Sequence, residues 1–207
     1  MLRMTGEIRK QTGQGSPGGL TANGAVERVD VLGCPFDAIS FEATLSRISH
    51  AIEENGRLQI VPGNVDFVMK ARRNSSFADM LRRADLVVAD GVPITWAANL
   101  LGRPLKGRVS GTDLVWRCAE ISARMGRAIA LIGGAPGVAE RAAARMRGAF
   151  PGAIVAVIPT PMPFRPEDNA RIVHEIAARS AAIVMVALGA PRQVQVLGPP
   201  PAEVDHG

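Results

Sequence analysis

From Val26 onward the chain alternates short, continuously apolar runs with longer amphipathic stretches. Apolar runs of a few residues bounded by turn formers read as strands, and apolar positions recurring every three or four residues read as helices. Strands are predicted over 26–33 (VERVDVLG), 57–63 (RLQIVPG), 85–90 (DLVVAD), 127–134 (RAIALIGG), 153–159 (AIVAVIP) and 181–189 (AAIVMVALG). Helices are predicted over 40–55, 64–74, 75–84, 91–102, 110–126, 136–150 and 165–180. Local chemistry marks their ends. Ser40 suits an N-cap, Ser75 or Ser76 caps the next but one, Ser110 or Thr112 caps the long fifth helix, Pro136 sits near a first turn, and Gly126 stops a helix.

Strands alternating with helices imply right-handed crossovers and a mostly parallel sheet. The strands are apolar throughout, as burial on both faces requires. The expected fold class is therefore α/β, Rossmann-like, with helices on both faces of the sheet.

The ends depart from this pattern. Residues 1–24 are rich in Gly, Gln, Ser and Thr and cannot bury enough surface to offset ordering entropy, so a disordered leader is expected. The ordered domain is expected over 25–193. An irregular tail follows over 194–207, where three consecutive prolines stop any helix and the expected next helix is missing, as in a truncated or frameshifted chain. An exposed apolar surface left by that missing helix would favour a homo-oligomer.

Composition narrows the function classes. Of 207 residues 47% are hydrophobic, enough for a sizeable core, but aromatics make up 4% and there is no Tyr, so that core rests on Ala, Val, Leu and Ile. A net charge of +5 suits a phosphate-rich ligand or an anionic membrane as well as a merely Arg-rich chain. No zinc-finger spacing or aromatic-basic motif marks a nucleic-acid reader, so no nucleic acid partner is expected. Cys34 and Cys118 lack metal or disulfide spacing, which points to a reducing compartment. No apolar run approaches the ~20 residues of a membrane span.

In a doubly wound sheet ligands bind beyond the carboxyl ends of the strands. Four such ends carry polar or Gly-rich sequence: 62–64 (PGN), 89–91 (ADG), 133–137 (GGAPG) and 188–193 (LGAPRQ). Asp90 is the sharpest of these. A carboxylate at a strand end can take a proton from an attacking hydroxyl, although such an Asp more often caps the following helix. The glycines at 133, 134 and 137 precede a helix whose N-terminus attracts phosphate. Their spacing is not that of a dinucleotide fingerprint, and no acidic residue closes the next strand, so a nicotinamide cofactor is poorly supported. In the 107–114 loop Arg108 can pair with a diphosphate, and Asp113 favours the helix dipole. The cations Lys70, Arg72, Arg73, Arg82 and Arg83 fit a solvated helical face better than a phospholipid site. His50, His174 and His206 are scattered, no Ser-His-Asp triad is indicated, and D-x-D, the metal signature of many nucleotide-sugar enzymes, is absent.

Taken in order, PGNVDFVMKAR, ADLVVADGVPITWAANLLGRPLKGRVSGTDL, ALIGGAPGVAERAAARM and ALGAPRQ resemble the WecG/TagA/CpsF glycosyltransferase family, from about Val29 to Gln193. The resemblance implies an inverting, metal-independent hexosyltransferase with no cofactor. It moves an N-acetylhexosamine such as N-acetylmannosamine from a UDP-sugar to a polyprenyl-diphosphate-linked acceptor, in teichoic acid or exopolysaccharide synthesis. It further implies a cytoplasmic protein, peripheral at the inner face of the plasma membrane. Carried over, Asp90 is the general base. Asn64, Arg108, Asp113, Gly133, Gly134 and Gln193 bind substrate. Two positions depart from the family pattern. Pro62 stands where a Thr is usual and supplies neither hydroxyl nor N–H, and Val194 stands where a Glu is usual. The competing reading is a truncated, inactive remnant that only binds UDP.

Overall fold

A computed structural model describes residues 2–4, 26–161, 164–165, 167–190 and 192. The first elements in chain order are β1 (Leu2–Met4), β2 (Arg28–Val31), β3 (Cys34–Asp37), α1 (Phe41–Glu53) and β4 (Gln59–Gly63). Then come α2 (Val65–Arg73), α3 (Ser75–Arg83), β5 (Leu86–Ala89), α4 (Val92–Leu100) and α5 (Gly111–Met125). The chain continues through β6 (Ala128–Gly133), α6 (Val138–Ala149), β7 (Val155–Ile158), α7 (Asp168–Ala178) and β8 (Ala181–Ala187).

Six strands form one sheet in the order β5-β4-β1-β8-β6-β7. The pairs β4–β5, β6–β7 and β6–β8 are parallel. Leu2–Met4 runs antiparallel to both of its neighbours, β4 and β8, so these two share one direction and five strands of six agree. The mostly parallel α/β sheet expected from the continuous apolar runs is the one observed. Its strand β1 comes from the stretch expected to be a leader; residues 5–25 and the 194–207 tail lie outside the described residues.

Helices cover both faces, as double-sided burial demands. On one face Ile60, Leu86, Ile129 and Ile183 of the sheet pack against Ile48 of α1, Cys118 of α5 and Met146 of α6. On the other, Val61 and Val87 meet Phe67 of α2, Phe77 and Leu81 of α3 and Ala98 of α4, while Ile132 and Val184 meet Ile172 of α7.

One expected strand is a hairpin instead. Residues 26–33 do not join the main sheet; β2 pairs antiparallel with β3 in a separate two-stranded sheet. The turn between them has Leu32 at φ 55 and Gly33 at φ 85, the paired left-handed geometry that suits strand twist in a two-residue hairpin. Asp37 then fastens the hairpin to the sheet. Its carboxylate accepts from Arg28 at 2.9 and 3.0 Å and from the Val87 N–H at 2.6 Å. Arg28 also donates to the carbonyls of Arg82 and Ala84, both at 2.9 Å.

Capping follows the sequence with two exceptions. Ser40 and Ser110 cap α1 and α5. Neither Ser75 nor Ser76 caps α3: Asn74 does, its side chain accepting from the Phe77 N–H at 3.0 Å. A single extended residue separates α2 from α3, so the cap must be that residue, and Ser75 is already helical. Similarly α6 starts at Val138 behind Gly137, which leaves Pro136 outside the helix.

Candidate functional site

Because β4, β5, β6 and β8 run the same way, their carboxyl ends share one edge of the sheet. A cavity of about 380 Å3 opens there. The β4–β5 half supplies Pro62, Asn64 and Asp90, and the start of α5 supplies Gly111 and Thr112. The β6–β8 half supplies Gly133, Gly134 and Ala187, with Val138 and Ala139 from the first turn of α6. Leu131, Met146 and Met185 make an apolar lining beneath. A second, polar groove between α1 and α5 lies on the outer helices and is lined by residues such as Glu42, His50 and Arg124.

Asp90 is placed by its backbone. Its N–H donates to the Gly63 carbonyl at 2.8 Å, while the Ala89 carbonyl accepts from the Val109 N–H at 2.8 Å, so the 107–110 segment is tied along β5. This brings α5 against the carboxylate: a Cβ on Gly111 would lie 3.3 Å from Asp90 Oδ2 and 3.2 Å from the Pro62 ring. The helix after Asp90 is begun by Gly91 with no side-chain cap. Asp90 therefore does not play the capping role that is its usual alternative. Among the described residues its half-buried carboxylate has no hydrogen-bond or ion-pair partner, so it is open to a ligand on the cavity wall.

Asn64 has a structural duty as well as a place in the wall. Its Oδ1 accepts from the Phe67 N–H at 3.3 Å and caps α2. Its amide NH2 donates to no described residue and remains available.

Gly133 and Gly134 line the cavity, but their own amides are engaged within the fold. The Gly133 N–H donates to Thr160 Oγ1 at 3.1 Å and the Gly134 N–H to the Ala187 carbonyl at 2.8 Å. Their contribution is shape. A Cβ on Gly133 would stand 2.6 Å from the Ala187 carbonyl oxygen, so only glycine lets β6 and β8 close at this edge. The N–H groups left without a backbone acceptor are those of Ala139 and Glu140 in the first turn of α6. A helix N-terminus of this kind favours an anion through its free amides and its dipole.

Two expected site residues stand apart from the cavity. Arg108 and Asp113 form an ion pair at 3.6 Å, both about half exposed, and neither lines the cavity. Gln193 lies outside the described residues. Sequence reasoning had Gly111 in the 107–114 loop and Thr112 only as a possible cap; it missed the lining residue Ala139, the anchor Thr160, and Arg141, whose guanidinium lies 2.8 Å from where a Gly137 Cβ would be. Arg141 follows Gly137 by one helical turn, a spacing visible in the sequence. Thr160 carries no local signal. The basic cluster of α2 and α3 is partly neutralised on the surface by Lys70–Asp66 and Arg82–Asp79 pairs, each 2.6 Å.

Among the described residues no group of three or more His, Cys, Asp or Glu side chains is placed to hold a metal ion, and no helix is long and apolar enough to cross a membrane. Cys34 and Cys118 are free and buried, and burial pushes both thiols up to about 12.

Comparison with known proteins fits this geometry. A protein of Bacillus spizizenii strain W23 is 27% identical over 161 residues, which cover 76% of this chain and 61% of the relative. One from Staphylococcus aureus is 27% identical over 126 residues, covering 60% of this chain and 50% of the relative. Both are named N-acetylglucosaminyldiphosphoundecaprenol N-acetyl-beta-D-mannosaminyltransferase. The chain thus spans between half and about three-fifths of the length of these relatives. The model of the glycosyl transferase WecG/TagA/CpsF family matches residues 29–198, and the cavity lining from Pro62 to Ala187 falls wholly inside that match. By that match, the chain belongs to the WecG/TagA/CpsF family of glycosyl transferases.

Proposed function

We propose that the cavity is the donor and catalytic site of a hexosyltransferase. It moves an N-acetylhexosamine, N-acetylmannosamine as in the names of the relatives, from a UDP-sugar to a polyprenyl-diphosphate-linked acceptor. The observation that carries the reading is the Asp90 carboxylate, unpartnered among the described residues, in one cavity with the open N-terminus of α6. The donor diphosphate lies against the first turn of α6, where the amides of Ala139 and Glu140 and the helix dipole stabilise it. The acceptor hydroxyl enters on the Asp90 side. As its oxygen bonds to the sugar C1, the bond from C1 to the UDP oxygen breaks, and the hydroxyl proton passes to Asp90. Attack opposite the leaving group inverts the anomeric centre. Stabilisation of the leaving diphosphate by fixed amides needs no metal. An acceptor and a product that both carry a lipid support a protein peripheral at a membrane surface, and a UDP-sugar donor supports the cytoplasmic side, the inner face of the plasma membrane.

A second reading, binding of UDP without turnover, draws on one feature: among the described residues no Arg, Lys or His lines the cavity. In that reading the leaving diphosphate lacks a cation to offset its charge. Calorimetry tests the site shared by both readings. UDP binds the wild-type chain, and Ala139→Asp, which sets a carboxylate where the diphosphate lies, weakens binding by more than about tenfold through like-charge repulsion. Equal UDP affinity in the folded variant would move the donor site elsewhere.

A further inference from the structure

The helix that leaves Asp90 turns an apolar face to solvent. Val92–Leu100 contains no charged residue. Ile94 and Ala98 face the core. Val92, Trp96 and Leu100, spaced by four, lie together on the outer side at 44%, 68% and 90% exposure, and Leu101 extends the stripe at 52%. Leu100 and Trp96 are the two most exposed large apolar side chains among the described residues. A stripe of this length spans about 12 Å at the helical rise. Contiguous apolar surface with an exposed Trp marks a contact surface rather than ordinary scatter.

The charged residues in the segment that follows it along the chain are all basic. Arg103, Lys106 and Arg108 follow the helix, and no acidic residue occurs from Gly91 to Thr112. All three cations are exposed. Arg103 is paired with Glu27 and Arg108 with Asp113, whereas Lys106 has no ion pair among the described residues. An exposed apolar stripe carrying Trp and Leu, with the Lys106 ammonium beside it, suits the interfacial zone of an anionic bilayer, where an indole sits at the headgroup level and a cation meets phosphate.

We infer that α4 and the segment 101–108 form a membrane-docking face, with Trp96, Leu100 and Leu101 entering the interfacial zone of an anionic phospholipid bilayer. Asp90 lies two residues before the first turn of this helix, so docking sets the mouth of the cavity at the lipid surface. The inference rests on the proposed lipid-linked acceptor for its purpose, but the binding itself is measured without nucleotide or acceptor.

The test uses the full 207-residue chain carrying Trp116→Phe, which leaves Trp96 as the only indole. Vesicles of phosphatidylethanolamine with phosphatidylglycerol shift the Trp96 emission to the blue and sediment the protein. The Trp96→Ser/Leu100→Ser variant, made at exposed positions, partitions more than about tenfold more weakly. Lys106→Glu and raised salt weaken binding as well. Val173→Ser, an exposed apolar residue on α7, leaves it unchanged. Vesicle binding by the double variant equal to that of wild type overturns the inference. So does an unshifted Trp96 on vesicles, an equal loss in Val173→Ser, or an indole already shielded in a lipid-free oligomer, which would make the stripe a contact between copies. A Trp116→Phe chain that binds UDP but not vesicles would defeat this inference alone, whereas one that binds vesicles but not UDP would defeat only the donor-site reading.

Discussion

Replacing Gly133 by alanine separates backbone close approach from mere conformational strain, because its neighbour Gly134 supplies the control. Gly133 has φ +86 and Gly134 φ +88, so alanine at either adopts a left-handed backbone that costs about 1–2 kcal/mol. Only at 133 does the new methyl collide with main chain. It would stand 2.6 Å from the Ala187 oxygen and 2.9 Å from the Ala187 carbonyl carbon, whereas at 134 the nearest atom is Val138 Cβ at an ordinary 3.5 Å. Relief of the collision requires the ends of β6 and β8 to part. Overpacking of this kind costs about 1–3 kcal/mol. Parting also strains the 2.8 Å bond from the Gly134 N–H to the Ala187 carbonyl, worth about 1 kcal/mol. Gly133→Ala therefore loses about 3–6 kcal/mol, a large part of the roughly 5–15 kcal/mol of a whole domain. Gly134→Ala loses only about 1–2 kcal/mol. Urea unfolding followed by far-ultraviolet circular dichroism measures both. Two variants within about 0.5 kcal/mol of each other, less than the additivity error of distant sites, would refute the close-approach argument.

Other consequences are open to equally direct measurement. Asp37→Ala leaves the Arg28 guanidinium and the Val87 amide without their acceptor, and a loss of about 2–4 kcal/mol of unfolding free energy, measured in urea, is expected. The buried thiols make stability fall at high pH. An unfolded thiol ionises near 9.0 while the folded ones stay protonated up to about 12, so the unfolded state sheds protons first. Their contribution is complete below pH 9 and declines as the pH rises from about 9 towards 12. Cys118→Ala should flatten that decline in urea titrations, and an unchanged slope would show that the thiols are not its cause. Ala139→Asp and the vesicle experiment test the donor site and the docking face as described above.

The sequence disclosed what is local and periodic. Continuous apolar runs made the parallel sheet legible, and Ser40, Asn64 and Ser110 were readable as helix starts because capping depends on a residue and the three that follow it. The shared edge was legible too, since parallel strands put Asn64, Asp90 and Gly133 at the same end. What stayed hidden depends on partners far along the chain. The β2–β3 hairpin turns at Leu32, a residue that rarely takes a left-handed backbone, and it is held by Asp37 to Val87, fifty residues away. The pairing of Leu2–Met4 with β4 and β8 joins segments that share no local pattern. Thr160 occupies the Gly133 amide from beyond β7, so that amide is engaged within the fold. The sequence shows only the charge of Arg108. Its pairing with Asp113, outside the cavity, depends on how the loop is tied to Ala89.

Asp90 is the centre of the account, and Asp90→Asn isolates it. The carboxylate makes no described hydrogen bond, so the change should leave stability within about 0.5 kcal/mol, as at surface sites without special partners. The decisive measurement is transfer of N-acetylmannosamine from its UDP derivative to a polyprenyl-diphosphate-linked N-acetylglucosamine, alongside UDP binding, for wild type and Asp90→Asn. Turnover by the wild-type chain is expected to fall at least about a hundredfold in the variant, the scale of a lost general base, with UDP affinity retained. Equal turnover in the two proteins would contradict the role given to Asp90, and turnover by neither with UDP bound by both would favour the binding-only reading.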